Sequence, residues 1–436
     1  MKVSDYESLS PLNSNYSGTM AAARNRPKEE TLVMARYGEL FLKSEPVKRH
    51  FIGMLLRNIR KAVGAAGLDC RYETPRGRIL IYGGEPETVA GIVSRVFGIV
   101  DVSTCNRTSA ELDDLKEAAL LRAKKHLKGG MSFAVRAKRQ YKTGLTSQEL
   151  GTEIGSFIYD NIPGLSVDLD DPNYEVFVEV RDFGGLVYDK RIAGPGGLPW
   201  GTQGRVLVLL SAGIDSPVAS WLAMKRGCEI THLYLDAGRW AGTDVTAAAI
   251  ENHRKLSLWC SGNPLSLVIA DSEPLFDAMS RLKVQPRYRC VICKRFMLRV
   301  AAQMMAHEGA LAVLTGENLG QVASQTLANV GVVAEAVHVP IIRPLITFDK
   351  EETITIARRI GTFEAKPGDL ACRAVPKMPA TSAVLEEVKE IEQRMGIEEL
   401  AAAASTGLRF VTALDGRITE DSADPERAVA GSSPRR

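Results

Sequence analysis

The chain is poor in aromatic residues, 6% of 436, and its six histidines show no paired ligand spacing, which argues against a tetrahedral zinc site. No uninterrupted apolar run approaches a membrane span, and the first residues lack the charged-then-apolar plan of a secretory leader, so a cytoplasmic protein is expected. Seven cysteines, an odd number scattered over a long chain, do not make a disulfide framework; reduced thiols are expected, some of them chemical. Neither charge dominates, with 55 Lys and Arg against 52 Asp and Glu. At 45% apolar and 25% charged, the composition is that of a globular chain long enough for two or three domains.

What is present centres on VLVLLSAGIDSPVASWLAMKRG, Val206 to Gly227. A strand of bulky apolar residues, Val206 to Leu210, runs into the small-residue turn Ser211 to Ser216 and then a helix opening at Pro217. That order delivers a turn to the carboxyl edge of a parallel sheet, where backbone N–H groups near Gly213 and the positive end of a helix can hold a phosphate. Ser216 stands where an N-cap belongs and Pro217 at the first helical position. An ordinary strand-turn-helix crossover would explain the apolar run but not two serines and Asp215 crowded round a glycine. The stretch is neither GxGxxG nor a Walker loop, since no Gly-Lys-Ser/Thr follows.

Charge becomes informative once divided. Residues 1–200 hold 28 Lys and Arg against 25 Asp and Glu, and residues 201–436 hold 27 of each. Within the first half, Lys116, Arg122, Lys124, Lys125, Lys128, Arg136, Lys138, Arg139 and Lys142 face Glu117 alone. A local +8 suits a polyanion partner, although a solvated helix face can also be basic.

Residues 1–30 read as a disordered lead-in. Residues 31–107 then alternate as strand, helix, strand, strand, helix, strand, a ferredoxin-like α+β plait. Residues 108–194 open with a basic helix over Ser109–Leu127 and a strand over Met131–Arg139. A helix over Thr146–Asn161 follows, capped by Thr146 or Ser147 with Glu149 near the capping-box position, and then strands at Ser166–Asp168, Tyr174–Arg181 and Gly184–Arg191. The Gly- and Pro-rich segment 195–204 is a linker. Residues 205–385 alternate strand and helix, as in a doubly wound parallel sheet with its ligand beyond the strand C-termini. Helices are expected at Gly320–Asn329 and Cys293–Glu308 among others; 386–420 is read as an extension and 421–436 as a tail.

Three more constellations lie at those strand ends. Gly316 and Gly320 bracket a polar turn, with Gln321 and Gln325 one helical turn apart; they could bind a nucleotide or simply face water. Cys290-Val-Ile-Cys293 opens a helix beside Lys294, Arg295 and Arg299, so its thiols should ionise easily and could share a metal or form a redox dithiol. Cys372 supplies a candidate third sulfur. Three thiolates without a fourth protein ligand suit an iron-sulfur cluster with one open iron, and the competing reading makes Cys372 a persulfide carrier or resolving thiol. Cys70, Cys105, Cys228 and Cys260 are expected in the core.

The turn resembles the SGGxDS loop of the ATP pyrophosphatase superfamily, with Ala212 in place of the first glycine. RYGELFLKS, SFAVRAKR, GGLPWGTQGRVLVLLSAGIDSPVASWLAMKRG, TGENLGQVASQTL and PIIRPLITFDKEETITIARRIGT together closely resemble the tRNA 4-thiouridine synthetase family, ThiI, in the same order from Thr31 to Leu385. The resemblance implies a ferredoxin-like domain, a THUMP domain that binds the tRNA acceptor region, and a PP-loop ATP pyrophosphatase domain. It also implies a reaction in which ATP activates the C4 oxygen of the uridine at tRNA position 8 and sulfur displaces AMP. Nucleotide contacts carried over are Leu209, Leu210, Ser211, Gly213, Asp215, Ser216, Tyr234, Leu235, Lys294, Gly316 and Gln325. Asp215 would place Mg²⁺, and Lys294 would neutralise charge at the α-phosphorus. Only about 50 residues follow Leu385, too few for the rhodanese domain of familiar bacterial members, so a three-cysteine [4Fe-4S] cluster on Cys290, Cys293 and Cys372 is preferred to a Cys372 persulfide relay. RNA contacts are expected from Lys124, Lys125, Lys128, Arg136, Lys138, Arg139 and Lys142. Partners implied are tRNA and a sulfur donor, sulfide or a cysteine desulfurase persulfide, with a homodimer left open. A family link to thiamine thiazole synthesis finds no independent support in these residues. A non-catalytic RNA-binding scaffold and an amide-forming ligase of the same superfamily are the competing assignments.

Overall fold

The computed structural model describes residues 30–39, 44–140, 144–364 and 368–422. Lys142, the proposed lead-in before Glu30 and the tail beyond Ser422 lie outside them. Packing divides the chain into one unit built on Asn106–Val187 and another built on Thr31–Cys105 together with the chain from Tyr188 on. No helix among the described residues is long and apolar enough to cross a membrane.

The second unit begins with β1 (Glu30–Tyr37), α1 (Glu45–Ala65), β2 (Arg71–Glu73), β3 (Ile79–Tyr82), α2 (Pro86–Val93) and β4 (Ile99–Thr108), the plait expected from the sequence. Strands run in the order β2-β3-β1-β4. α1 buries Phe51, Leu55, Ile59 and Val63 against Val33, Ala35, Ile79 and Ile81. That spacing is the apolar stripe of an amphipathic helix meeting the alternating face of a sheet.

Asn106–Val187 holds α3 (Leu112–His126), β5 (Ser132–Arg139), α4 (Ser147–Asn161), β6 (Ser166–Val167), β7 (Tyr174–Arg181) and most of β8 (Gly184–Tyr188). The sheet order is β8-β7-β5-β6, with β5 parallel to both neighbours. Leu115, Ala119 and Ala123 of α3 and Leu150, Ile154 and Ile158 of α4 join Phe133, Val176, Val178 and Val180 in one core. α4 starts with a complete capping box: Thr146 accepts from the Glu149 amide, and Glu149 accepts from the Thr146 amide.

After β9 (Ile192–Ala193) the Gly/Pro-rich segment does not hang free. Leu198 is buried and its N–H bonds the Lys225 carbonyl at 2.9 Å, while Gly201 donates to Gly227 at 3.0 Å. Then come β10 (Arg205–Leu209), α5 (Asp215–Lys225), β11 (Glu229–Asp236), α6 (Val245–Ser257), β12 (Leu265–Asp271), α7 (Glu273–Arg281), α8 (Arg289–Glu308), β13 (Ala310–Leu314), α9 (Leu327–Ala334), β14 (Ile341–Ile342) and α10 (Lys350–Arg359). α11 (Leu385–Met395), α12 (Ile397–Ala404), β15 (Arg409–Leu414) and β16 (Arg417–Ser422) complete the chain. The sheet order is β14-β13-β10-β11-β12-β15-β16, parallel from β14 to β12.

Several expectations need correction. The presumed extension closes the sheet, because β15 pairs antiparallel with β12 and β16 with β15, so strand structure reaches Ser422 inside the presumed tail. Helix α5 starts at Asp215, leaving Ser216 inside the first turn and Ile214 as N-cap. No helix covers Gly320–Asn329: Gly320 is left-handed at φ +74° and its amide bonds the Gln325 carbonyl. A 3₁₀ turn over Ala323–Gln325 and α9 replace it, with Thr326 capping through the Asn329 amide. Helix α8 begins four residues before Cys293.

Candidate nucleotide and sulfur site

β10 lies between β11 and β13, so the chain order reverses there and the loops after β10 and β13 face the same crevice. The first loop is tied internally. The Ser216 hydroxyl accepts from the Ser211 amide at 2.8 Å and lies 2.9 Å from the Ser211 hydroxyl. Ala212 is not among the residues of positive φ, so alanine fits without backbone strain. From the second loop Gly316 presses against α5. A Cβ there would stand 2.7 Å from the Ser216 nitrogen, so only glycine allows the approach.

Between these loops is a cavity of about 200 Å³ lined by Leu209, Ser211, Asp215, Ser216, Lys294, Gly316 and Gln325, all anticipated, and by Met297, Leu298, Thr315, Glu317 and Val333. The Gln325 amide oxygen is buried with no protein partner. Leu210, Gly213, Tyr234 and Leu235 do not line it. Leu210 and Tyr234 pack in an apolar cluster with Leu267 and Val411, Leu235 lies in the main core, and the Tyr234 hydroxyl bonds Thr246 at 3.2 Å.

The charges are arranged in two groups whose pairings, and whose members Glu317, Arg343 and Lys350, sequence reading missed. Asp215 receives Lys350 Nζ at 3.1 Å and Gln321 Nε2 at 3.0 Å. Glu317, buried, receives Lys294 Nζ at 2.9 Å, Arg343 Nε at 2.8 Å and the Thr315 hydroxyl at 3.2 Å. Burial alone would push the Glu317 carboxyl up, yet the attraction and hydrogen bonds of Lys294 and Arg343 outweigh it and hold the carboxyl below its usual range. A usable clue to Lys350 was its place at the start of a helix, where the dipole disfavours a cation.

Cys290 and Cys293 occupy the first turns of α8, and Cys372 is exposed on a loop whose neighbours Ala371 and Arg373 bond Gly242 and Trp240 at 2.8 Å each. The three thiols share a neighbourhood: Cys372 raises the pKa of both others. The expectation of easy ionisation is overturned. Burial, then the neighbouring thiolates, push Cys293 up to about 12 and raise Cys290, and the charge of Lys294 offsets only part. Among the described residues no group of three or more His, Cys, Asp or Glu side chains is placed to hold a metal ion. Cys105 and Cys260 are buried, whereas Cys70 and Cys228 are only partly so.

In the Asn106–Val187 unit the basic run falls on separate elements. Lys124 and Lys125 end α3, exposed Lys128 follows, and Arg136, Lys138 and Arg139 are on β5. Arg136 is engaged by Glu175 at 2.7 Å and by the Leu169 carbonyl. A groove of about 720 Å³ runs between β5 and α4, lined by Arg136, Lys138, Gly151, Gly155 and exposed Tyr159.

Family profiles match the chain in three consecutive segments: "ThiI ferredoxin-like domain" over 32–103, "THUMP domain" over 109–188 and "Thiamine biosynthesis protein (ThiI)" over 201–397. A probable tRNA sulfurtransferase of Methanosarcina mazei is 37% identical over 86% of this chain and 94% of its own. One of Moorella thermoacetica is 38% identical over 88% and 97%. The crystal structure of a 4-thiouridine synthetase–RNA complex with bound ATP superposes with a TM-score of 0.78 at 33% identity, covering 88% of this chain and all of that one. A Pyrococcus horikoshii protein superposes at 0.60 with 26% identity, covering 76% of this chain and 99% of that one. With three matched segments in one order and relatives aligned over nearly their whole length, the chain belongs to the ThiI family.

Proposed function

We propose that the chain is an ATP-dependent tRNA sulfurtransferase that adenylates the C4 oxygen of the uridine at tRNA position 8 and replaces that oxygen with sulfur, giving 4-thiouridine. The carrying observation is the interlock of Gly316 with the Ser211–Ser216 loop at the point where strand order reverses, beside Lys294 and Lys350. The superposable 4-thiouridine synthetase bound to RNA and ATP supports it.

In this reading Ser211, Ser216 and the start of α5 hold the leaving pyrophosphate. Lys294 and Lys350 supply positive charge as the uracil oxygen bonds to the α-phosphorus and the bond to pyrophosphate breaks. Gln325 offers its amide oxygen to a donor such as the adenine amino group. Mg²⁺, when bound, would be held by Asp215 and would neutralise phosphate charge. Sulfur then attacks C4, and AMP leaves with the oxygen. The groove lined by Lys138 and exposed Tyr159 suits RNA, with an aromatic face on which an unpaired base can stack.

The donor set of three thiols suits a cluster, and a [4Fe-4S] cluster on Cys290, Cys293 and Cys372 would supply an open iron for sulfide when bound. A persulfide on Cys372 is the second reading, favoured by the exposure of that thiol and by side chains not drawn into a ligand set. The test is thiolation of tRNA with ATP and sulfide, with and without reconstituted iron. A cluster enzyme is brown when purified anaerobically and loses iron on alanine substitution of any of the three cysteines. Colourless protein that thiolates with a persulfide donor selects the relay. Unchanged 4-thiouridine in tRNA from a strain deleted for the gene overturns the sulfurtransferase assignment.

A further inference from the structure

Helix α6 contributes no residue to the cavity, yet it carries two buried polar side chains in succession, Asn252 and His253. The Asn252 amide nitrogen donates to the Ser211 carbonyl and to the Gly213 carbonyl, each at 3.0 Å. One –NH₂ group has two hydrogens, so a single side chain fixes two peptide planes of the loop. No peptide here is cis, and a trans peptide sets its N–H opposite its C=O. With both carbonyls aimed at Asn252, the amide hydrogens of residues 212 and 214 point away from α6. A loop that must receive phosphate needs this sorting, because an inward carbonyl repels the anion that an inward N–H attracts.

Behind this clamp runs a second line of bonds. His253 Nδ1 is 2.9 Å from His232 Nδ1, His232 Nε2 is 3.1 Å from the Ser220 hydroxyl, and that hydroxyl donates to the Ser216 carbonyl at 2.8 Å. α6, β11 and α5 are thereby joined beneath the loop.

We propose that Asn252 is a positioning residue for the nucleotide, holding the carbonyls of Ser211 and Gly213 away from the phosphates so that the loop is set before ATP arrives. This role rests on reading the loop as the phosphate site. Preorganised donors of this kind lose their advantage when the loop must be ordered at binding, and a displacement near 1 Å costs on the order of a hundredfold.

The experiment measures equilibrium ATP and tRNA binding by the full chain. Asn252→Ala should weaken ATP binding roughly ten- to hundredfold while leaving tRNA affinity unchanged. Asn252→Asp should be weaker still at pH 8, since a carboxylate repels both carbonyls, and should recover affinity on acidification, when a protonated carboxyl can donate to one of them. A packing residue would lower the thermal midpoint without selecting ATP affinity over tRNA affinity. Asn252→Ser, retaining one donor, should be intermediate and serves if the alanine variant does not fold. ATP binding within twofold of wild type in the alanine or serine variant overturns the role alone. Wild-type protein that binds tRNA but neither ATP nor pyrophosphate overturns the phosphate-site reading with it.

Discussion

Gly316 shows how much one missing side chain can decide. Its Cα lies so near the first turn of α5 that a methyl group would meet the Ser216 nitrogen at 2.7 Å, a backbone atom that cannot swing aside. Gly316→Ala should therefore push the two loops apart and lower tRNA-dependent pyrophosphate release by about a hundredfold. Steady-state kinetics with tRNA and ATP check this; a rate within threefold of wild type would show that the loops have slack. The glycine itself was legible, since a glycine just past a buried strand marks a close approach. Glu317, Arg343 and Lys350 were not, because a carboxylate or a cation in a polar stretch has no local pattern that names its partner. Lys294 was legible through the family resemblance and its place beside Cys293, but its partner Glu317 was not.

At the scale of elements, α6 and β11 face each other through His232 and His253, both fully buried. Burial first, and for His232 the neighbouring imidazole, hold both well below the usual histidine value, His253 at about 3. Unfolded, both would take protons near the ordinary value of 6.5. The unfolded state thus binds more protons between that pH and the lowered folded values, and stability rises with pH across the window. The urea midpoint should accordingly be flat from pH 8 to 7 and fall from pH 6.5 towards 4.5, before carboxylates dominate. His253→Gln should make that decline shallower; an equal slope in the variant would place the proton uptake elsewhere. Glu317 acts in the same direction at lower pH, its contribution complete above the ordinary 4.5 and lost as the pH falls through its lowered folded value. The alternation of strands and helices was readable along α6 and β11, but pairing of two histidines 21 residues apart was not. Where the reading failed at Gly320–Asn329, the expected helix is broken by extended backbone at Val322 and Thr326, on either side of the 3₁₀ turn.

For the whole molecule, the question is how a chain with a net charge of +3 takes hold of a polyanion. The exposed lysines at the end of α3 and the groove beside Tyr159 make separable contributions. Replacing Lys124 and Lys125 together by alanine should weaken tRNA binding and reduce the slope of log affinity against log salt by about 1.5, since each phosphate contact contributes roughly 0.7 to 0.9. Tyr159→Ala should weaken binding several-fold with the slope unchanged, because stacking releases no counterions. A salt titration of both variants decides; an unaltered slope in the lysine variant removes the α3 end from the interface.

The sequence by itself determined the strand-to-turn step at Ser211, the capping box at Thr146, the plait over residues 31–107 and the three thiols. Each depends on neighbours within a few positions, where backbone sterics and side-chain periodicity act directly. Tertiary structure alone decided that Gly316 abuts Ser216, that Lys350 reaches Asp215 across 135 positions, that Glu317 binds Lys294 and Arg343, and that Asn252 holds the loop from behind. Those meetings follow from the order in which parallel strands assemble, with β13 on one side of β10 and β11 on the other. Strand order is settled by burial of the whole sheet, which no short stretch of residues encodes.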